Sequence, residues 1–206
     1  MKTLLAHSFK KGFTLVELLI VIGLLGAIAL IVIVAINPIE QANRARDARF
    51  RADGGQIISA VERYFASHSS FPWEGCAGSS CTTSSEAAFG FVSASDDGVG
   101  LCSGSSCATA GILVTGDELK SEFIARDFIK ATAVDKKIFV GKGQGSSSSM
   151  YACYIPLSKA TRDTAITNVK IRSLSFDANG VPSVNSACTT ANDNWGQNGC
   201  YVCIPE

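Results

Sequence analysis

Charge is what this sequence has least of. Of its 206 residues only 17% are Asp, Glu, Lys or Arg, against about a quarter in an ordinary soluble domain. The 18 basic and 18 acidic side chains cancel. That balance argues against a nucleic-acid partner, because phosphate binding needs clustered, uncompensated positive charge. Histidine is rarer still, with His7 and His68 the two copies. There is no paired-histidine zinc-protease motif, no nucleophile elbow and no phosphate loop. The chain therefore reads as a protein that is not an enzyme and that takes no cofactor or metal.

What the sequence has in excess is apolar: 47% of residues, with a mean hydropathy of +0.23. The excess is concentrated. Leu18 to Ile36 carries no charge and no strongly polar group, and the stretch from Phe13 is 24 residues long. At 1.5 Å per residue that is about 36 Å of helix, enough to cross a hydrocarbon core of roughly 30 Å. The run is too long for the apolar region of an ordinary secretory signal, about 7–15 residues, and too long for a buried core helix. Lys2, Lys10 and Lys11 precede it without an acid, which predicts a cytoplasmic N-terminus. Arg44, Arg46, Arg49 and Arg51 follow the run but are interleaved with Glu40, Asp47 and Asp53.

A plain single-span anchor leaves Glu17 unexplained. An ionised side chain near mid-bilayer costs roughly 3 kcal/mol, less at the edge, where it reaches the headgroups. Cleavage after Gly12 would give Phe13 a free α-amine one helical turn away. In an assembly the Glu17 of one subunit could also meet the Phe13 amine of the next. A misregistered neighbour would then leave a charge unpaired in low dielectric, which makes Glu17 a candidate registry device.

The segment Lys10-Lys11-Gly12-Phe13-Thr14-Leu15-Val16-Glu17-Leu18-Leu19 resembles the class III signal of type IV pilins and type II secretion pseudopilins. The resemblance covers residues 1–67, about a third of the chain. It implies a prepilin peptidase that cuts between Gly12 and Phe13 and N-methylates Phe13. It implies a pilin-like ladle of α+β class, a long N-terminal helix packed on a small antiparallel sheet with disulfides. The implied divisions are a cleaved leader (1–12), a transmembrane and filament-core helix (13–36), an amphipathic continuation (37–67) and an exported cysteine-rich domain (68–206). The implied function is the structural subunit of a type IV pilus serving motility, adhesion or DNA uptake, with a type II secretion pseudopilin as the alternative. Implied partners are further copies of the chain, related minor pilins, the peptidase and an inner-membrane assembly platform. The implied location is a single-pass inner membrane anchor with the C-terminal domain exported, and then an extracellular filament. Many relatives carry a helix-bending proline one turn before the position of Pro38; Val34 stands there instead.

Beyond the apolar run, Ala42, Ala45, Phe50, Ile57, Val61, Tyr64 and Phe65 recur at helical spacing. This predicts one long helix from Phe13 to Ser67, bent near Pro38. Gly54-Gly55 reads as a helix boundary or as a compliant point. The four arginines read as a solvated face or as salt bridges between subunits.

Phe71-Pro72-Trp73 closes the helix with an extended step, similar to the aromatic-proline turn of the family. Residues 74–110 read as loop and Gly111–Val114 as a short strand or apolar bridge. Thr115–Glu118 fits a capping box, predicting a helix through Leu119, Phe123, Ile124 and Phe128 to Ala131. Strands are predicted at Lys137–Val140, Met150–Ile155, Val169–Phe176, Val181–Val184 and Tyr201–Ile204. Gly143–Ser149 reads as a flexible connector and Asp177–Gly180 as a hairpin turn.

All eight cysteines lie in the exported part: Cys76, Cys81, Cys102, Cys107, Cys153, Cys188, Cys200 and Cys203. Their even number fits disulfides in an oxidising compartment. Cys76–Cys81 and Cys102–Cys107 bracket near-identical segments, which either close local rings or cross-link to each other. By resemblance to pilins, Cys188 would staple the C-terminal loop with Cys200 or Cys203, leaving Trp195 exposed. Zinc on the Cys-x-x-Cys and Cys-x4-Cys pairs, a thiol oxidoreductase site, and calcium at Asp177–Gly180 or Asn192–Asn194 are weaker alternatives; the last two segments lack the ligand density of a dedicated calcium loop.

Overall fold

A computed structural model describes residues 12–74, 76, 81–82, 84–104 and 107–206. Residues 1–11 of the expected leader, with Lys2, His7, Lys10 and Lys11, lie outside that set, as do parts of both Gly-Ser-Ser segments. The chain divides into two compact units, Met1–Ile39 and Glu40–Glu206.

Helix α1, Leu15–Ile36, is almost uniformly apolar; Glu17 is its one ionisable residue. Every side chain described along it is exposed, Leu30 by 68% and Ile31 by 70%. The segment Leu15–Ile33 is long and apolar enough to cross a membrane. The single long helix expected from the spacing is interrupted once. Asn37 takes the left-handed conformation (φ 45°) as the C-cap of α1, and Pro38 opens helix α2, Pro38–His68. Proline is well placed there, since a first-turn residue has no helical partner for its N–H and its fixed φ suits the helix.

In the second unit, α2 presents Phe50, Ile57, Ile58, Ala60, Val61 and Tyr64 to the core. Ala42 and Ala45, on the same predicted stripe, are exposed. The helix continues through Gly54-Gly55, so no helix boundary occurs there. Gly54 is instead a point of close approach. A Cβ built on it would sit 3.0 Å from Ala152 Cβ and 3.2 Å from Ile204 Cδ1, whereas Gly55 faces open space.

Those two contacts lie on the main sheet. Strands β1 (Phe89–Ser93), β4 (Ile138–Lys142), β5 (Met150–Tyr154) and β8 (Val202–Ile204) form an antiparallel sheet in the order β1-β4-β5-β8. β2 (Cys102–Ser103) pairs with β3 (Thr109–Ala110), and β6 (Arg172–Phe176) pairs with β7 (Pro182–Val184). The architecture is α+β, as the sequence implied. One core joins α2 to the sheet through Trp73, Phe89, Leu101, Leu113, Phe128, Ile138 and Val140. The other gathers Ile155, Ile171, Trp195 and Tyr201 about Cys153, Cys188, Cys200 and Cys203. The expected aromatic step after α2 is a ladder: Phe65, Phe71, Trp73 and Phe89 stack in succession at 4.2–4.5 Å between centroids.

Several local expectations fail for identifiable reasons. Segment 74–110 is not all loop, since it supplies edge strand β1. Gly111–Val114 is not a strand. Ile112–Thr115 forms the single-turn helix α3, with the Thr115 and Gly116 N–H groups reaching back to Gly111 O and Ile112 O. Thr115 therefore sits inside a turn, its hydroxyl donating to Gly111 O, and cannot cap a following helix. Glu118, its supposed partner, accepts from Arg63 Nε at 2.9 Å. The helix expected to Ala131 is split into a 3-10 turn, Ser121–Ala125, and the single turn α4, Asp127–Lys130, by extended backbone at Arg126. Trp195 is buried, with Nε1 donating to Thr190 O at 3.2 Å.

Candidate functional site

The N-terminal candidate site is built on the first turn of α1. Thr14 has extended backbone and caps the helix, its Oγ1 accepting from the Glu17 N–H at 3.2 Å. An N-cap of this kind satisfies one of the four N–H groups a helix start leaves unpaired. Phe13, immediately before it, is 82% exposed. Glu17 lies in that same first turn, where the helix dipole favours a negative charge. The three residues singled out for cleavage, methylation and assembly are thus presented at one exposed helix end.

Residues 8–33 match a family described as the prokaryotic N-terminal methylation motif. The chain carries a prepilin-type N-terminal signature. That signature, shared by type IV pilins and pseudopilins, spans the peptide on either side of Gly12-Phe13, the acid at Glu17 and most of the apolar helix. No curated protein and no solved structure matches the chain.

The structure brings the eight cysteines together as four disulfides: Cys76–Cys81, Cys102–Cys107, Cys153–Cys203 and Cys188–Cys200. Cys76–Cys81 and Cys102–Cys107 are local rings, and Cys102–Cys107 closes across the β2–β3 hairpin. Cys188 pairs with Cys200, and both are buried with Trp195 in the second core. Cys203 faces Cys153 across the β5–β8 register and bonds to it. The two halves of Cys200-x-x-Cys203 are thereby tied to different partners, so no dithiol stands there. Among the described residues no three of His, Cys, Asp and Glu converge as a metal-holding group. Asp177 and Asp193 are engaged by their own turns: Asp177 Oδ1 accepts from Asn179 and Val181 N–H, and Asp193 from Thr189 N–H, Thr190 N–H and Thr190 Oγ1.

The charged face of α2 is not simply solvated. Asp47 is buried and accepts from the Leu157 and Ser158 N–H groups at 3.0 and 2.9 Å. Glu40, two turns earlier, accepts from Ser158 Oγ at 2.9 Å and from the Lys159 and Ala160 N–H groups at 3.0 and 3.1 Å. Together they satisfy the first turn of helix α5, Lys159–Thr167, which the sequence did not announce. The Lys159 N–H, with those of Ala160 and Ser158 Oγ, holds the Glu40 carboxyl down at about 2. Arg46 crosses to the carbonyls of Ile155 (3.1 Å) and Asp135 and lies 4.1 Å over the Phe50 ring. Arg44 pairs with Glu40 at 3.3 Å, and Arg51 with Glu206. Lys142, two residues past the predicted strand Lys137–Val140, is buried over Phe71 and donates to Gly143 and Gly145 carbonyls, anchoring the Gly143–Ser149 segment.

Proposed function

We propose that this chain is a structural, non-enzymatic subunit of a type IV pilus. A prepilin peptidase would cut it between Gly12 and Phe13 and N-methylate Phe13, leaving residues 68–206 as the exported globular domain. The observation that carries the proposal is the methylation motif at residues 8–33 running into a helix with one ionisable group. An apolar helix whose described side chains are all exposed needs an apolar surround. Lipid supplies one, and other copies of the same helix supply another. Passing from lipid to a helix bundle gains no hydrophobic free energy, because both surrounds are apolar, so packing and polar pairing must drive the step. Glu17, paired with the Phe13 amine of a neighbouring copy, supplies the pairing and penalises a wrong register. Further copies, minor pilins and an inner-membrane assembly platform are the partners this requires, and the fibre would serve motility, adhesion or DNA uptake.

The test is the intact mass of the purified chain together with imaging of fibres tagged in the C-terminal domain. A mature N-terminus at methylated Phe13 and surface fibres that vanish in Glu17→Ala, with membrane insertion retained, support the proposal. An intact leader on membrane-resident monomers rejects it. Processed chains without surface fibres, in a cell whose protein secretion depends on them, would instead assign the pseudopilin role.

A further inference from the structure

The chain contains two Asn-Gly pairs, Asn179-Gly180 and Asn198-Gly199. An asparagine before glycine sets an electrophilic amide carbon next to an unhindered nucleophile. The glycine nitrogen has no neighbouring Cβ to shield it, and its attack on the asparagine Cγ closes a five-membered ring. Both asparagines are exposed, and among the described residues neither side-chain amide has a hydrogen-bond partner. In both pairs the glycine is left-handed, with φ 74° at Gly180 and 62° at Gly199. By these features the two pairs are equal; their backbone hydrogen bonds are not.

The attacking nitrogen must first lose its proton. At Gly180 that N–H donates to Asp177 O at 3.1 Å. The Asp177 carboxylate also brackets it, Oδ1 accepting from the N–H groups of Asn179 (2.9 Å) and Val181 (3.0 Å) on either side. A bonded N–H must break free before it reacts, and a nearby negative charge opposes a developing amide anion. At Gly199 the N–H has no partner among the described residues. The carbonyl conjugated to it, Asn198 O, accepts from Asn185 Nδ2 at 3.1 Å. A hydrogen bond to that oxygen polarises the amide and makes its N–H more acidic.

We infer that Asn198 is a site of spontaneous modification, converted through a succinimide to aspartate and isoaspartate. Gly199 N bonds to Asn198 Cγ as its proton departs. The Cγ–Nδ2 bond breaks, and the amide nitrogen leaves as ammonia with that proton. Water, the only co-reactant, then opens the ring at either carbonyl. The product carries one more negative charge. In isoaspartate the main chain is also one methylene longer. The extra length falls where Asn185 Nδ2 holds both Asn198 O and Gly199 O (2.7 Å), just before Cys200 of the Cys188–Cys200 bond. The stapled loop thus bears a mark that accumulates with the age of each chain and slackens the clamp beside it.

The test is peptide mapping of the full folded chain in detergent, held in mildly alkaline buffer made with heavy-oxygen water, with fragmentation that separates isoaspartate from aspartate. Asn198 should convert about fivefold faster than Asn179, the rate equivalent of one net hydrogen bond. Each product should carry a heavy oxygen from ring opening. In the reduced, denatured chain the two rates should converge, because both pairs are then free dipeptides of the same composition. Asp177→Ala should speed conversion of Asn179 and leave that of Asn198 unchanged. The proposal would be overturned by Asn179 reacting first or equally fast in the folded chain, or by a bias toward Asn198 that persists after unfolding. An Asn179 rate unmoved by Asp177→Ala, or a folded chain that keeps Asn198 intact while the unfolded chain converts, would overturn it as well.

Discussion

Helix α1 and the unit from Glu40 onward follow opposite rules. The helix is apolar all round, exposes every side chain described along it and has one ionisable group. The later unit buries two apolar clusters, ties itself with four disulfides and seats Asp47, Asp53 and Lys142 inside. The first is specified by composition alone, because its described side chains are exposed and contribute to no core. The second is specified by complementarity, because its surroundings are itself. Damage should be tolerated in the first as long as apolar character survives, and should be felt in the second wherever shape or pairing is lost.

The largest effect is expected from the cross-strand bond. Replacing both Cys153 and Cys203 by Ala opens a loop of 50 residues, which chain entropy values at about 4 kcal/mol. Denaturant unfolding should show that loss, whereas opening Cys76–Cys81, with a separation of 5, should cost about 2 kcal/mol. Equal losses would mean that the two rings do not constrain the unfolded chain as their lengths require. Gly54 and Gly55 come next. Gly54→Val should cost about 1–3 kcal/mol by overpacking against Ala152 and Ile204. Gly55→Ala, facing open space, should stabilise by up to about 1 kcal/mol. If both behave alike in thermal melts, the close approach of α2 to the sheet is not what Gly54 serves.

Acid should loosen α5 before the sheet. Glu40 has a carboxyl held at about 2, below its ordinary 4.5. Its contribution is therefore complete above pH 4.5 and is lost as the pH falls toward 2. Hydrogen exchange at Lys159 and Ala160 should rise across that window, and Glu40→Gln should flatten the rise. The smallest effect belongs to α1: Leu25→Ala should leave the melting of the later unit unchanged, and a shift of several degrees would break the comparison.

The same contrast governs what could be read in advance. α1 was legible to within two residues because a long uncharged run has few physical outcomes. The break after Ile36 was read as a bend, because Asn37 in a left-handed conformation looks like any asparagine. Phe50, Ile57, Val61 and Tyr64 were legible as the buried stripe of α2, while the burial of Asp47 and Asp53 among the arginines was not read. Nothing in Glu40 or Asp47 reveals that the N–H groups of residues more than a hundred positions away need them. Had Ser158 been taken as an N-cap, α5 could have been found. The Thr115 capping box failed because a hydroxyl and a carboxylate at the right spacing say nothing of whether Arg63 competes for the acid. The alternating Phe89 and Phe91 flank Gly90 and were lost amid serine-rich neighbours, although they mark edge strand β1. Among the cysteines, even spacing suggested rings, but partner choice depended on strand register, a property of the folded sheet.

The bond between β5 and β8 has one more consequence. Ala152 and Ile204, the two residues on which Gly54 rests, flank Cys153 and Cys203 in sequence. A protease cutting once anywhere between residues 155 and 201 would leave both fragments covalently joined and the seat of the helix intact. Such a nicked chain would migrate as a single species on a denaturing gel until a reductant was added.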